Sequence, residues 1–471
     1  MLEATLQKIS PRFTRPPTPA ASFLIHGAVA LLWLALVARA FTAHGLAAWS
    51  AGIIYIAYDT FLLLFTFIQT LPLRHAPTPT QPAVRPTLAV IIAAYNEAPV
   101  LAASITALLT QSDPPDEIIL ADDGSTDATA RILAEQFALM PPPLGAITPA
   151  GERIRWLRAP HAGKAATLNL ALPHLQSDLF VTVDADTTLL PGALTAMREN
   201  FAADKNLVAA TCILAPHCED TLSGRLLEWF QTYEYIRNFM SRYAWMRLDS
   251  LLLISGAFAG FRREALVAVG GFDPDCLVED YELIHRMRRY AQQHRLSWRF
   301  RVLVDALART EAPSSIPAFL RQRRRWFGGF LQTQYWYRSM VGDARLGWLG
   351  MAMLPVKAID TLQPLYGLTA FFLLVFYIAT GRLATLLPVA ALIAIKITID
   401  LGFHLWSIHL YRRWVGTGAG ASMGWALLAA LFEPFSFQLL RHCGAALGWV
   451  SFLTGQRQWG VQRRYGLGNS D

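Results

Sequence analysis

Charge is what this sequence is short of. Asp, Glu, Lys and Arg make up 16% of its 471 residues, against 54% hydrophobic ones, and a mean hydropathy of +0.32 argues against an ordinary soluble enzyme. Cysteine is scarce too. Cys212, Cys218, Cys276 and Cys443 show neither a paired disulfide framework nor metal-ligand spacing, so a reducing compartment is expected for the first three. The eleven histidines include no HExxH-type pair, which leaves a zinc enzyme without support. No internal repeat is visible. The charge that is present leans positive, 41 Lys and Arg against 34 Asp and Glu. Such a balance suits nucleic acid or an anionic lipid surface. The apolar runs decide for lipid, and no nucleic-acid partner is expected.

Those runs cluster at the two ends of the chain. A polar, Pro-rich segment, residues 1–20, precedes Phe23 to Val37 and Leu46 to Leu71, each long enough or nearly so to cross a bilayer as helix. A signal peptide cleaved near Ala38-Arg39-Ala40 is the competing reading of the first run. The second run follows at once, which favours a helical pair over residues 21–71. Lys8, Arg12, Arg15, Arg74 and Arg85 flank its outer ends, so the positive-inside rule places both flanks in the cytoplasm. A Pro/Thr linker, 72–87, leads into a soluble domain, 88–345. Apolar segments return over 346–455, with runs near Thr361 to Ala379 and Leu383 to Leu410. The last run, Met423 to Leu453, is interrupted by Glu433-Pro434 and by Arg441-His442. It reads as one crossing with a polar break or as a re-entrant hairpin, and the basic tail at 456–471 leans toward the hairpin.

Within the soluble domain strands alternate with helices. Strands are predicted at Leu88 to Ala94, Glu117 to Ala121, Arg155 to Arg158 and Leu179 to Asp184, with helices near Ser104 to Leu109, Ala128 to Met140 and Lys164 to Leu175. That alternation predicts a mostly parallel α/β sheet, which binds nucleotides at the carboxyl ends of its strands. The polar motifs fall at such ends. Tyr95-Asn96-Glu97 follows the first strand. Asp122-Asp123-Gly124-Ser125-Thr126-Asp127 follows the second, and it reads equally as ribose- or base-binding carboxylates or as turn and cap chemistry. Asp184-Ala185-Asp186 follows a later strand and offers two hard oxygen ligands for a divalent cation on a diphosphate; the other reading is a solvated turn. His161-Ala162-Gly163-Lys164 opens a helix with a cation and free backbone N–H groups where a phosphate could sit. Glu279-Asp280 serves as a general base, as a helix N-terminal cap, or as both. Gln322-Arg323-Arg324-Arg325-Trp326 reads as a lipid-contacting basic patch or as a site with an aromatic face for a sugar ring and Arg for a diphosphate.

Taken together, in this order and spacing, the Tyr95-Asn96-Glu97, Asp122-to-Asp127, Asp184-Ala185-Asp186, Glu279-Asp280 and Gln322-to-Trp326 motifs resemble the processive family 2 glycosyltransferases, most of all the bacterial poly-N-acetylglucosamine synthases and more distantly cellulose, hyaluronan and chitin synthases. The resemblance covers about Leu88 to Trp326. It implies an α/β GT-A domain, Rossmann-like and nucleotide-sugar-binding, set between transmembrane helices of a multi-pass protein. It also implies inverting transfer from a UDP-sugar, UDP-N-acetylglucosamine being favoured, to a growing glycan or a lipid acceptor. By matching position, Tyr95, Glu97, Asp122 and Asp123 lie at the nucleotide, Lys164 and Asp184 at the diphosphate, and Asp184 and Asp186 at Mg2+ or Mn2+. Asp280, with Glu279, supplies the base, while Gln322, Arg325 and Trp326 close over the sugar nucleotide and seat the acceptor. Residues 231–262, with Glu234-Tyr235 and Ser255-Gly256-Ala257, resemble the part that shapes the acceptor channel. The implied location is the inner (plasma) membrane, with the catalytic domain cytosolic and small membrane or periplasmic export partners. A Phe-led gating loop of the cellulose-synthase type is not evident. The rivals are a single-addition enzyme acting on a lipid, a cellulose-like glucan synthase, and a membrane scaffold whose soluble domain is inactive.

Overall fold

The computed structural model describes residues 1–74, 85–149, 151–415 and 423–455; most of the Pro/Thr linker and the whole basic tail lie outside the described residues. A short helix, α1 (Leu2–Ile9), precedes two long apolar ones, α2 (Ala20–Thr42) and α3 (Ser50–Thr70). The domain then begins with β1 (Leu88–Ala94), whose residues are almost all buried. A strand apolar on both faces needs cover on both, and that requirement sets the layers. The chain continues through α4 (Ala98–Leu109), β2 (Glu117–Asp122), α5 (Thr129–Phe137), β3 (Ile154–Arg158), α6 (Lys164–Ala171) and β4 (Leu179–Asp184). Two helices stop short of the predicted ends. At α5 the chain turns out at Ala138, in left-handed conformation, and α6 gives way at Leu172–His174 to a 3-10 turn containing Pro173, which cannot continue an α-helix.

The strands are ordered β3-β2-β1-β4, all parallel. The chain lays β2 and β3 on one side of β1 and then crosses over to place β4 on the other. The strand order therefore reverses between β1 and β4, where open α/β sheets form their ligand crevice. The sheet is extended beyond that point by β5 (Thr187–Leu189), α7 (Ala193–Ala203), β6 (Leu207–His217), α8 (Leu222–Arg247), β7 (Phe258–Arg262), α9 (Arg263–Ala268), α10 (Glu279–His294) and β8 (Arg299–Glu311). The full order is β3-β2-β1-β4-β7-β6-β8-β5. β7 and β5 run against the rest, so the sheet is mostly parallel in strand direction but mixed in its second half. One face is covered by Leu101, Ile105 and Leu108 of α4 and by Met197 and Phe201 of α7. The other is covered by Leu168, Ile236, Met240, Leu283 and Ile284.

After β8 comes α11 (Ile316–Trp336), then α12 (Leu354–Ala379), α13 (Leu383–Val415), α14 (Met423–Phe432) and α15 (Phe437–Thr454). Four helical segments, Ala20–Thr42, Gly45–Arg74, Leu349–Ala379 and Leu383–Arg413, have the length and apolar composition to cross a membrane. Met423–Phe435 and Phe437–Thr454 pass the same test as a pair bent by 46°, and the bend falls at the expected Glu433-Pro434 break. Their outer surfaces carry large apolar side chains, Leu24 and Leu387 both 72% exposed and Phe61 62%, as lipid-facing helices require. Inside the bundle, α11 and α15 meet through glycines. A Cβ at Gly448 would lie 2.9 Å from the Gly328 nitrogen, and one at Gly444 2.4 Å from Arg323 Cβ. Gly448→Val should therefore cost about 1–3 kcal/mol, seen as a lower unfolding temperature in detergent. Gly402→Ala, where a Cβ meets nothing within 4 Å, should leave that temperature unchanged.

Candidate active site

At the end of β1 the chain turns sharply at Asn96 (φ 56°). Its side-chain oxygen accepts from the backbone N–H groups of Thr126 and Asp127, at 2.8 and 3.3 Å, and its own N–H donates to Ser125 Oγ. The loops after β1 and β2 are thereby tied together. Glu97, buried, stands at the N-terminus of α4. Tyr95 is 42% exposed and stacks on the His161 ring, with centroids 4.1 Å apart and planes 19° from parallel. This stacked pair stands at the carboxyl end of β1.

The neighbouring carboxylates Asp122 and Asp123 do different things. Asp122 is 1% exposed; one oxygen accepts from Ser125 N at 2.8 Å and the other from Trp156 Nε1 at 3.3 Å. It carries out the turn chemistry of this motif. Asp123 collects the N-terminus of α6: Ala162 N at 2.8 Å, Gly163 N at 3.2 and 3.0 Å, Thr167 Oγ1 at 2.7 Å and the His161 ring at 2.9 Å. Sequence reasoning noted the His161-Ala162-Gly163-Lys164 run but not that Asp123 is what shapes it.

Lys164, first residue of α6, is the hub. Its Nζ lies 2.5 Å from Asp184 Oδ1 and 3.4 Å from Glu279 Oε1. Burial pulls the ammonium down, but Asp184, Glu279 and Asp280 outweigh it and hold the group above its ordinary value. Burial raises Glu279 above the usual carboxylate range, Lys164 opposes, and Asp280 adds to the rise. Asp280 Oδ2 accepts from Gly256 N at 2.8 Å and Oδ1 from Tyr281 N at 2.8 Å. The residues predicted at the diphosphate and for the base are therefore brought together around one cation. Asp186, 5% exposed, sits beside Thr187 and Thr310, at 3.3 and 3.4 Å. Among the described residues no group of three His, Cys, Asp or Glu side chains is arranged for a metal.

The Gln322-to-Trp326 run lies within α11, half-buried rather than spread on a lipid surface. Arg325 donates to the Leu277 carbonyl at 3.3 Å, beside the Glu279 turn. Arg323 sits over the Trp326 ring at 4.6 Å and makes paired hydrogen bonds of 2.8 and 2.6 Å to Glu234. Gln322 Oε1 is buried with no hydrogen-bond partner among the described residues, an acceptor left open.

Glu234 leads to a feature that motif spacing did not disclose. It also binds Arg441 of α15 at 3.0 Å, and both line a cavity of about 280 Å³ inside the helical bundle. Further into that cavity Lys396 pairs with Asp59, at 2.6 Å, and with Asp400, and Arg237 pairs with Glu433. Trp49, Tyr55, Phe371 and Phe403 add aromatic walls. The available signal was ionisable residues inside apolar runs, which mark functional positions in membrane segments.

Residues 89–270 match the family described as Glycosyl transferase family 2. Among curated proteins the chain is similar to the poly-beta-1,6-N-acetyl-D-glucosamine synthases of Staphylococcus aureus (strain COL) and Staphylococcus epidermidis, 26% identical over 240 and 246 residues. These alignments cover 51% of this chain and 53% of theirs, so the chain spans about half the length of the curated relatives it matches. Among solved structures it is similar to a mannosyltransferase from Pyrobaculum calidifontis in complex with GDP-Man and Mn2+. That match has a TM-score of 0.54 at 21% identity, covering 83% of this chain and 99% of the other, and it bears out the GT-A fold. Asp123→Ala strands the Ala162 and Gly163 amides that lead into α6 and the Thr167 hydroxyl. It should destabilise the protein by about 1–3 kcal/mol, measured as a lower unfolding temperature, with Asp123→Asn losing less.

Proposed function

We propose that this chain, whose residues 89–270 are a family 2 glycosyltransferase domain, lengthens a β-linked polysaccharide processively from a UDP-sugar and passes the product into its own helical bundle. One observation carries the reading. The helix that presents Trp326 is joined through Arg323, Glu234 and Arg441 to the wall of a cavity among the apolar helices, where charged side chains stand among aliphatic and aromatic ones. UDP-N-acetylglucosamine is the preferred sugar nucleotide, on the likeness to poly-N-acetylglucosamine synthases. The basic residues flanking α2 and α3 support a multi-pass protein of the inner membrane with a cytosolic catalytic domain.

In this reading the uracil lies against the Tyr95 and His161 platform, Glu97 and Asp123 define the nucleoside end, and Lys164 meets the diphosphate. Asp184 and Asp186 offer hard oxygen donors but too few to enclose an ion, which fits Mg2+ or Mn2+ bound jointly by protein carboxylates and substrate phosphate. Such an ion would neutralise charge on the departing diphosphate. Asp280, fixed by two backbone N–H groups, takes the proton from the acceptor hydroxyl. That oxygen bonds to the anomeric carbon on the face opposite the phosphate, and the bond to phosphate breaks, which inverts the configuration. Trp326 offers a ring face to the sugar at the acceptor end, and Gln322, four residues before it on α11, carries a buried acceptor without a hydrogen-bond partner among the described residues.

Asp280→Asn keeps an acceptor for only one of the two backbone N–H groups and cannot take up the proton. Turnover should fall by about 10²–10⁴ while UDP affinity changes little; near-normal turnover would remove Asp280 from the role of base. Purified protein given UDP-N-acetylglucosamine alone should make long, polydisperse glycan. Trp326→Ala should shorten or abolish that glycan at unchanged UDP binding, since a stacked aromatic is worth about 1–3 kcal/mol by analogy with bases on aromatic side chains. A one-sugar lipid as the only wild-type product, with sugar nucleotide in excess, would defeat the processive reading.

A further inference from the structure

Glu279 and Asp280 stand at the end of a loop, residues 270–278, that has no helix or strand of its own. One side of that loop is held from the opposite end of the chain. Helix α1 approaches so closely that a Cβ at Gly270 (φ +84°) would lie 2.5 Å from the Leu6 nitrogen and 2.9 Å from the Leu2 carbonyl oxygen. Arg289 of α10 donates to the Ile9 carbonyl at 2.7 Å. Three residues beyond that carbonyl, Arg12 reaches into the loop, its Nε 3.1 Å from Asp273 Oδ2 and its Nη1 2.5 Å from Asp275 Oδ2. The other side is held by α11. Gln332 accepts from Leu277 N at 3.2 Å and donates to the Asp275 carbonyl at 3.3 Å, and Arg325 donates to the Leu277 carbonyl.

Asp273 needs that cation. Its side chain is fully buried. The charged groups facing it are Arg12, and Glu282 and Arg286 of α10, while its loop neighbour Asp275 donates a backbone N–H to it at 3.0 Å. Arg286 gives its fork to Glu282, at 3.1 and 2.7 Å, which leaves Arg12 as the cation in contact with Asp273 among the described residues. Burial, with Glu282 adding to it, pushes Asp273 up to about 6, and Arg12 opposes the rise. The folded protein therefore holds this proton more tightly than an unfolded chain does. Ionising Asp273 as pH climbs from the ordinary carboxylate range through about 6 costs stability, and Arg12 offsets part of that cost.

We propose that Arg12 is a positioning residue for the reaction: by pairing with Asp273 and Asp275 it fixes the loop that presents Asp280 to Gly256 and Glu279 to Lys164. The proposal rests on the reading of Asp280 as the base. In the full-length detergent-solubilised protein, R12A should lower kcat about tenfold with KM for UDP-N-acetylglucosamine within about twofold, as expected for displaced catalytic groups and an intact nucleotide site. The deficit should be small near pH 6, where Asp273 keeps its proton, and deepen toward pH 8.5. R12K should recover most of the rate. R12A/D273N, which removes the unpaired charge, should recover it too and lose the added pH dependence. If R12A does not accumulate, R12K and the double variant carry the same comparison against wild type. A wild-type kcat in R12A, a deficit equal at all pH values, or a double variant as impaired as R12A with the same pH profile would overturn the proposal. D280N run alongside separates the two readings. A fully active D280N removes the base, whereas an inactive D280N beside a fully active R12A removes the positioning role alone.

Discussion

The site is organised around a conflict of like charges. Asp184 arrives on β4, before the sheet's mixed half, and Glu279 and Asp280 arrive on α10, after β5, β6 and β7. Carboxylates brought close together in a buried site repel, so the approach of these segments needs a counter-charge. The Lys164 ammonium, 2.5 Å from Asp184 and 3.4 Å from Glu279, makes the approach favourable. It can do so because Asp123 ties down the N-terminus of α6, on which Lys164 is the first residue. The β2 loop, the α6 start, the β4 end and the α10 start are thus held by one cation and one carboxylate. An arriving diphosphate would offer Lys164 the same kind of partner that Asp184 offers now, so the exchange would need little rearrangement of the loops.

A second set of charges makes the catalytic domain and the apolar bundle one mechanical unit. Glu234 on α8 is 1% exposed and joins Arg323 on α11 with Arg441 on α15. Removing one member of such a buried set leaves an uncompensated charge, at about 3–5 kcal/mol. The glycines at 328, 444 and 448 let α11 and α15 approach closely enough for this geometry. Trp326 is held by the same arrangement, since the Arg323 guanidinium that binds Glu234 also covers the Trp326 ring.

Much of the first half of the domain was legible in the sequence because its signals are local. Strands β1, β2 and β4 are short apolar runs ending in polar motifs, and a run buried on both faces has no alternative period to confuse it. The motifs at those strand ends lie close together, and the dual readings divide by residue: Asp122 serves the turn while Asp123 holds the start of α6. The Arg-rich run reads as lipid-facing only while its partners are unknown. Glu234 and Leu277 are distant in sequence, and they draw Arg323 and Arg325 inward. The same limit hid Arg12, whose partners lie more than 260 positions away at Asp273 and Asp275. In sequence Arg12 is one of several basic residues beside an apolar run. Folded, it is the counterion of a buried carboxylate.

The ionisable residues of the bundle follow from the same physics. Asp59, Lys396 and Asp400 lie within segments otherwise apolar enough to cross a bilayer, and a charge there is expensive wherever it faces lipid. Here they face a shared cavity and one another, Lys396 between two carboxylates and Arg237 against Glu433. Pairing removes most of the field that would trap a small ion while leaving hydrogen-bonding atoms on the wall. Aromatic residues line the same space. Under the proposed processive reading, a neutral, hydroxyl-rich chain would find there polar contacts for its edges, ring faces for its flat sides, and no single strong anchor to hold it.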